Sequence, residues 1–159
     1  MSDRTSLDEA DVRILGALQE DGTLSVSAVS EIVHLSQNAC WRRMKRLEED
    51  GVISKRVTLL NPERLGLELT VFVSIKTSEH SEAWLSHFAE VVHAMPEVVE
   101  FYRMTGEVDY LLKLKVENMA AYDRAYKRLI SQVRITDVSS AFAMEEIKHT
   151  TSLPLKVTM

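Results

Sequence analysis

A chain of 159 residues has room for one ordinary domain or two small ones. Its apolar fraction of 45% and charged fraction of 27% are those of a globular protein and exclude a disordered one. No apolar run nears the roughly 18 residues of a membrane span. The acidic N-terminus lacks the apolar core of a signal peptide, and a single cysteine, Cys40, leaves no internal disulfide or multi-thiolate metal site. A cytoplasmic protein without a metal or other cofactor is expected. The net charge of −5 is spread unevenly: residues 34–58 hold six bases against three acids, while residues 1–33 hold two bases against seven acids.

In chain order, Leu7 to Gln19 is the first helical pattern, with apolar Leu7, Val12, Ile14, Leu15 and Leu18. Ser6 is its expected N-cap, and Glu9 three residues on would complete a capping box. Asp21-Gly22 ends it. Ser25 caps a second helix with Val26, Val29, Ile32 and Val33 on one face. His34-Leu35-Ser36 forms the turn, where glycine is common and histidine tolerates a positive φ. Ser36 caps a third helix that runs to about Asp50, with Gly51 as its C′ residue. Val52 to Leu60 is short and β-branched and reads as a small strand or wing. Pro62 and Gly66 then break the pattern, which divides the chain into residues 1–60, a hinge at 61–66, and residues 67–159.

Beyond the hinge the period changes. Leu67, Leu69, Val71, Val73 and Ile75 alternate with more polar residues, as in a half-buried strand. Trp84, Leu85, Phe88, Val91, Val92 and Met95 recur at helical spacing until Pro96. Val98 to Met104 is a second strand, with Val98, Tyr102 and Met104 on one side. Thr105-Gly106-Glu107 turns into a third strand, Val108 to Val116. Asn118 caps a helix bearing Met119, Tyr122, Tyr126, Leu129 and Ile130, and a last strand covers about Asp137 to Ile147. The order β-α-β-β-α-β predicts a ferredoxin-like antiparallel sheet with both helices on one face, so the chain as a whole is α+β. Phe72, opposite the Val71 and Ile75 row, leaves the second face apolar enough to need a cover. A second copy of the chain is the economical one, with Phe72 in the dimer interface.

On the third helix Cys40, Met44 and Leu47 repeat at core spacing, while Arg42, Arg43, Lys45 and Arg46 crowd five positions. The helix-turn-helix arrangement puts the N-terminal part of such a helix into the major groove of double-stranded DNA. Gln37, Asn38 and Trp41 are then the base-reading candidates, and Arg42, Lys45 and Arg46 hold phosphates. A solvated basic face is the plainer alternative, and the flanking helix and turn weigh against it. Cys40, facing the core, reads as an unreactive thiol rather than a redox sensor. Gly106 and Asp109 are either an ordinary hairpin glycine with a surface aspartate, or a place where an amino acid approaches the backbone and gives its ammonium to a carboxylate. His80, His87 and His93 are too unevenly spaced for a metal pair, and His149 with Glu145 and Glu146 reads as a polar strand end. With no phosphate loop, nucleophile elbow or metal cluster, no enzyme is expected.

Four stretches, LDEADVRILGALQEDG, LSQNACWRRMKRLEEDGVI, TGEVDYLLK and AMEEIKHTTSLPL, are each weak alone but specific in this order and spacing. With them the chain resembles the Lrp/AsnC family of prokaryotic transcription regulators over nearly its whole length. The resemblance implies an N-terminal winged helix-turn-helix, a hinge, and a C-terminal βαββαβ domain for amino-acid regulation. It also implies a homodimer assembling to an octamer, and an effector site lined by Tyr102, Gly106, Val108, Asp109 and Ser140 with a neighbouring subunit. FAMEEIKHTTSLPL and CWRRMKRLEEDG further resemble a cysteine-responsive branch, which makes cysteine a candidate effector. His34 stands where the family usually has glycine, and Trp41 where a small aliphatic is commoner, so no operator sequence carries over. The leading expectation is a DNA-binding regulator whose affinity or assembly answers to an amino acid. A constitutive DNA-wrapping architectural protein without a working effector site is the alternative. An enzyme of the dimeric ferredoxin-like class is disfavoured, since the hairpin region offers no nucleophile or paired acid and base.

Overall fold

Three short helices, α1 (Glu9–Glu20), α2 (Val26–Val33) and α3 (Gln37–Glu49), open a computed structural model that describes residues 6–157. A single 3-10 turn, Glu63–Leu65, then precedes β1 (Leu69–Lys76), α4 (Glu82–His93), β2 (Val98–Arg103), β3 (Tyr110–Val116), α5 (Met119–Gln132) and β4 (Asp137–Phe142). The chain forms two compact units. One runs to Leu59 and resumes at Lys148; the other is Leu60–Ile147.

In the first unit the helix ends follow their side-chain caps. Ser25 Oγ accepts from the Ala28 amide and Ser36 Oγ from the Ala39 amide, as the spacing predicts. α1 differs: its N-cap is Asp8 rather than Ser6, and the capping box pairs Asp8 with Asp11 rather than Ser6 with Glu9. His34 closes α2 at φ 56° and ψ 48°, the left-handed corner expected of it. Ile14, Leu15, Val29, Val33, Cys40, Met44 and Leu47 make the core. Ile32, expected inward, is 54% exposed; Ser30 takes the inward place beside Val29 and Val33, its hydroxyl donating to the Ser27 carbonyl. Val52 and Ile53 pack on this core, but residues 54–61 have no regular secondary structure, because none of the described backbone pairs with them. The strand expected over Val52–Leu60 is therefore absent from the described structure.

The chain past β4 also differs from expectation. Gln19 grips Leu153 through both amide atoms, Oε1 accepting from its amide at 2.6 Å and Nε2 donating to its carbonyl at 3.1 Å. Leu155 packs against the helical core. Residues 148–157 thus belong to the first unit rather than to a domain spanning 67–159. Local periodicity carries no trace of such a long-range return.

The second unit is one antiparallel sheet in the order β2-β3-β1-β4. Val71, Val73 and Ile75 pair with Leu114, Leu112 and Tyr110, and all six point to the helix side. There Phe88 lies 5.0 Å from Trp84, 5.2 Å from Tyr110 and 5.0 Å from Phe101, ring centre to ring centre. α5 contributes Ala125 and Leu129, with Ala121 and Tyr122 beside them. Met119 and Ile130, expected on the same face, are exposed. β2 carries a bulge between Val98 and Glu100. The extra residue, Val99, flips the alternation, so Val98 and Phe101 face the core while Tyr102 faces away. Val98 and Tyr102 hence do not share a side. The outer face is more polar than expected: Phe72 and Leu111 sit among Lys113, Lys115 and Glu100, with Lys113 ion-paired to Glu100 at 3.0 Å.

Candidate nucleic-acid interface and ligand site

The first turns of α3 present an open polar surface. Gln37, Asn38, Trp41, Arg42 and Lys45 are all exposed, while Cys40, Met44 and Leu47 anchor the opposite side. Trp41 is 50% exposed and carries the Lys45 ammonium over its ring, 5.4 Å from the ring centre. Asn38 is outward, as a base-reading residue must be. Gln37 is less free, since its Nε2 donates to Ser27 Oγ at 2.9 Å and ties α3 to α2.

The four cations divide into two pairs. Arg42 is exposed and has no ion pair among the described residues; Lys45 has only a loose one to Glu49 at 3.6 Å. Arg43 and Arg46 instead turn to α1. Arg43 donates to Asp8 at 2.7 Å and to Asp11 at 2.8 Å, and Arg46 donates to Asp11 at 2.5 Å. Asp11 is 1% exposed, so both of its oxygens are engaged inside the unit. The Asp8 carboxyl is held below the ordinary aspartate range, first by the Asp11 amide and then by Arg43, and Arg43 is raised in turn by its bonds to the Asp8 and Asp11 carboxylates. Arg46, expected among the phosphate contacts, is thus committed to α1. The signal was present in the sequence as two acids and two arginines each spaced i, i+3; what linked them was the packing of α1 on α3. Cys40 is buried with its thiol pushed up by burial, an unreactive state.

In the second unit, Gly106 sits at the hairpin tip with φ 110°, a conformation L side chains rarely adopt. The Met104 amide donates to the Asp109 carbonyl at 2.8 Å and closes the loop. Asp109 is more than a surface group: its Oδ2 accepts from the Thr77 amide at 2.8 Å, and its own amide donates to the Ile75 carbonyl at 3.0 Å. It clamps the end of β1. Removing its side chain therefore cannot leave the hairpin untouched, and only its other oxygen has no protein hydrogen bond among the described residues. Ser140 lies on the helix side of the sheet, paired with Val73 in register and hydrogen-bonded to the Tyr122 hydroxyl, whose ring meets Phe142 edge-on at 5.1 Å. Tyr102 lies on the outer side, its hydroxyl donating to Glu100 at 2.9 Å, and that bond pushes the phenol up. Within one chain the structure groups Gly106, Val108 and Asp109 in the hairpin but does not join Tyr102 to Ser140. Among the described residues no cluster of histidine, cysteine and acidic side chains could hold a metal. His87 and His93 each place a ring nitrogen against a helix carbonyl instead.

Residues 7–54 match a family model described as winged helix-turn-helix DNA-binding, and residues 70–153 match one described as Lrp/AsnC ligand binding domain. The chain is 55% identical over 152 residues to the glutamate uptake regulatory protein of Zymomonas mobilis, covering 96% of this chain and 93% of that one. It is similar to a crystal structure of an AsnC family transcriptional regulator from Agrobacterium tumefaciens, with 57% identity and a TM-score of 0.90 over 93% of this chain and 97% of that chain. A transcriptional regulator of Neisseria meningitidis, solved as a complex with L-Met, matches with 39% identity and a TM-score of 0.89 over 94% of this chain and 97% of its own.

Proposed function

Because the chain belongs to the Lrp/AsnC family of transcription regulators, we propose that its DNA affinity or its assembly is set by a small amino acid bound to the second unit. The observation that carries the DNA-binding half of this reading is the outward row Asn38, Trp41, Arg42 and Lys45 on α3, backed by a fully buried row of Cys40 and Leu47. Asn38 pairs with adenine through its amide, and the Trp41 edge packs on a thymine methyl. Arg42 and Lys45 take phosphates, which contribute affinity without sequence information. Gln37 contributes to base reading only if its bond to Ser27 opens.

The ligand half rests on the hairpin. Gly106 leaves the backbone bare, and the second oxygen of Asp109 accepts an ammonium while the first holds Thr77. Val108 supplies an apolar wall, and Tyr102 and Ser140, on opposite sheet faces, join such a site only through different subunits. Phe72 and Leu111 on the outer face support a homodimer formed sheet to sheet, with an octamer as the further assembly. A relative named for glutamate uptake and a neighbour bound to L-Met frame the amino-acid class; cysteine is the third candidate, on the sequence resemblance.

The test is fluorescence anisotropy of the full chain with DNA from its own promoter region, titrated with each of the twenty amino acids. One or a few should shift DNA affinity or sedimentation. Binding that is salt-dependent but blind to all twenty would favour a constitutive architectural role. Arg42→Ala should flatten the salt slope by about 0.9 per lost phosphate contact. Asn38→Ala should relax sequence preference by roughly 1–3 kcal/mol.

A further inference from the structure

We propose that Asp8 and Asp11 act as a built-in phosphate mimic that occupies Arg43 and Arg46, so that the recognition helix meets DNA with two of its four cations withheld. Asp11 is a positioning residue in this scheme: it is buried, bears no contact surface of its own, and acts through the two arginines it holds. The inference rests on the reading of α3 as the DNA-contacting helix.

The geometry favours this over a merely structural tie. A tie between α1 and α3 needs one ion pair, whereas here two carboxylates converge on two guanidinium groups through three bonds of 2.5–2.8 Å. Arginine forks match carboxylate and phosphate oxygens alike, so each bond to aspartate replaces one a DNA backbone could receive. Neither guanidinium is sealed in: the Arg43 side chain is 30% exposed and that of Arg46 45%, against 1% for Asp11. The arginines therefore reach the surface while the acid that holds them does not. The consequence is selective. Phosphate contacts raise affinity for every sequence equally, and a helix with all four cations free would hold random DNA too well for Asn38 and Trp41 to discriminate.

Salt-dependent binding of the full chain to a promoter fragment and to random DNA tests this. Asp11→Asn keeps the size of the side chain and removes the charge that holds both arginines. It should bind random DNA more tightly at low salt, steepen the log–log salt slope by roughly 1–2, and lower the ratio of specific to random affinity several-fold. Asp8→Asn, which keeps a good N-cap, should steepen the slope by less, since it loosens Arg43 alone. Glu20→Gln, an exposed acid of α1 without an ion pair among the described residues, sets the baseline for losing one negative charge. A merely structural role would lower the melting temperature and weaken all binding, and would not steepen the slope.

Slopes for both aspartate variants no steeper than that of Glu20→Gln would overturn the proposal. So would Arg43→Ala and Arg46→Ala each flattening the slope as much as Arg42→Ala, because those arginines would then already hold phosphates. If Asp11→Asn does not fold, Asp8→Asn alone decides. Failure of Arg42→Ala to flatten the slope would instead remove the assignment of α3, a separate result.

Discussion

The two units hold their helices by different means. In the second, α4 lies on the sheet through a packed aromatic group, Trp84, Phe88, Phe101 and Tyr110, with ring centres 5.0–5.8 Å apart, and α5 packs beside it through Ala125 and Leu129. In the first, no aromatic is buried among the described residues; small and aliphatic side chains make the core, and the Asp11 ion pairs and the Gln19–Leu153 bonds supplement it. A core of that size is marginal alone, as burial falls with domain size. The contrast leaves the DNA-binding unit of this regulator with the smaller core of the two. Each unit also holds one of the two tryptophans, exposed Trp41 and buried Trp84, so variants keeping only one of them report each unit separately.

The largest expected effect breaks the aromatic group. Phe88→Ala should cost about 3–5 kcal/mol, since the residue is fully buried and its neighbours cannot all collapse inward. Urea unfolding followed at Trp84 should shift strongly. A small shift would mean the rings are not what stiffens this unit. Next, deleting residues 148–159 removes Leu155 and both Gln19 bonds from the first unit. With about 0.5–1.5 kcal/mol per hydrogen bond and the lost burial, the cost should reach roughly 2–4 kcal/mol, read at Trp41 with Trp84 unmoved. Equal losses at both probes would mean the units melt together and the contrast is not one of stability.

A third variant sharpens the comparison inside the second unit. Asp109→Ala should cost about 1.5–3 kcal/mol by freeing the Thr77 amide and the end of β1, whereas Asp109→Asn keeps an acceptor and should recover part of it. If Asn restores stability and effector affinity still falls, the charge serves the ligand and the oxygen serves the fold. Calorimetry on the two variants separates these. The smallest effect is in acid. Asp8 and Asp21, both in the first unit, titrate below the ordinary aspartate value of 3.8, held down by the Asp11 amide and by Thr23. Their contribution is present above 3.8 and is lost as the pH falls through the lower folded values. The Trp41 signal should therefore soften before the Trp84 signal as the pH drops below about 4, and Asp8→Asn should reduce that early loss.

What was legible in the sequence was local. Ser25, Ser36 and Asn118 cap their helices because a hydroxyl or amide three residues ahead of a free amide is a short-range fact. The left-handed corner at His34 and the order of strands and helices follow from equally short patterns. Where two local solutions competed, the reading failed: Ser6 with Glu9 and Asp8 with Asp11 both make a capping box on paper, and the second also meets Arg43. The Val99 bulge was hidden because one inserted residue leaves the hydrophobic run unbroken while reversing its faces. Arg43, Arg46 and the return of Leu155 depend on segments more than 30 residues apart, and no window of sequence contains both partners. For the candidate sites, side-chain type was readable but occupancy was not. The outward row of α3 stood in the pattern, and the prior engagement of Gln37, Arg46 and Asp109 did not.

The grip of Gln19 on Leu153 also orders events in time. Leu153 and Leu155 follow the whole of Leu60–Ile147 in the chain, so on the ribosome α1 and α3 emerge long before the segment that completes their packing. At about 5–20 residues per second, the wait is on the order of ten seconds. During it the second unit can fold while the DNA-binding unit still lacks Leu155 and its bonds to Leu153. A nascent chain would thus finish its second unit before its DNA-binding unit, and a chain cut short before residue 148 would carry a complete second unit with an unfinished first one.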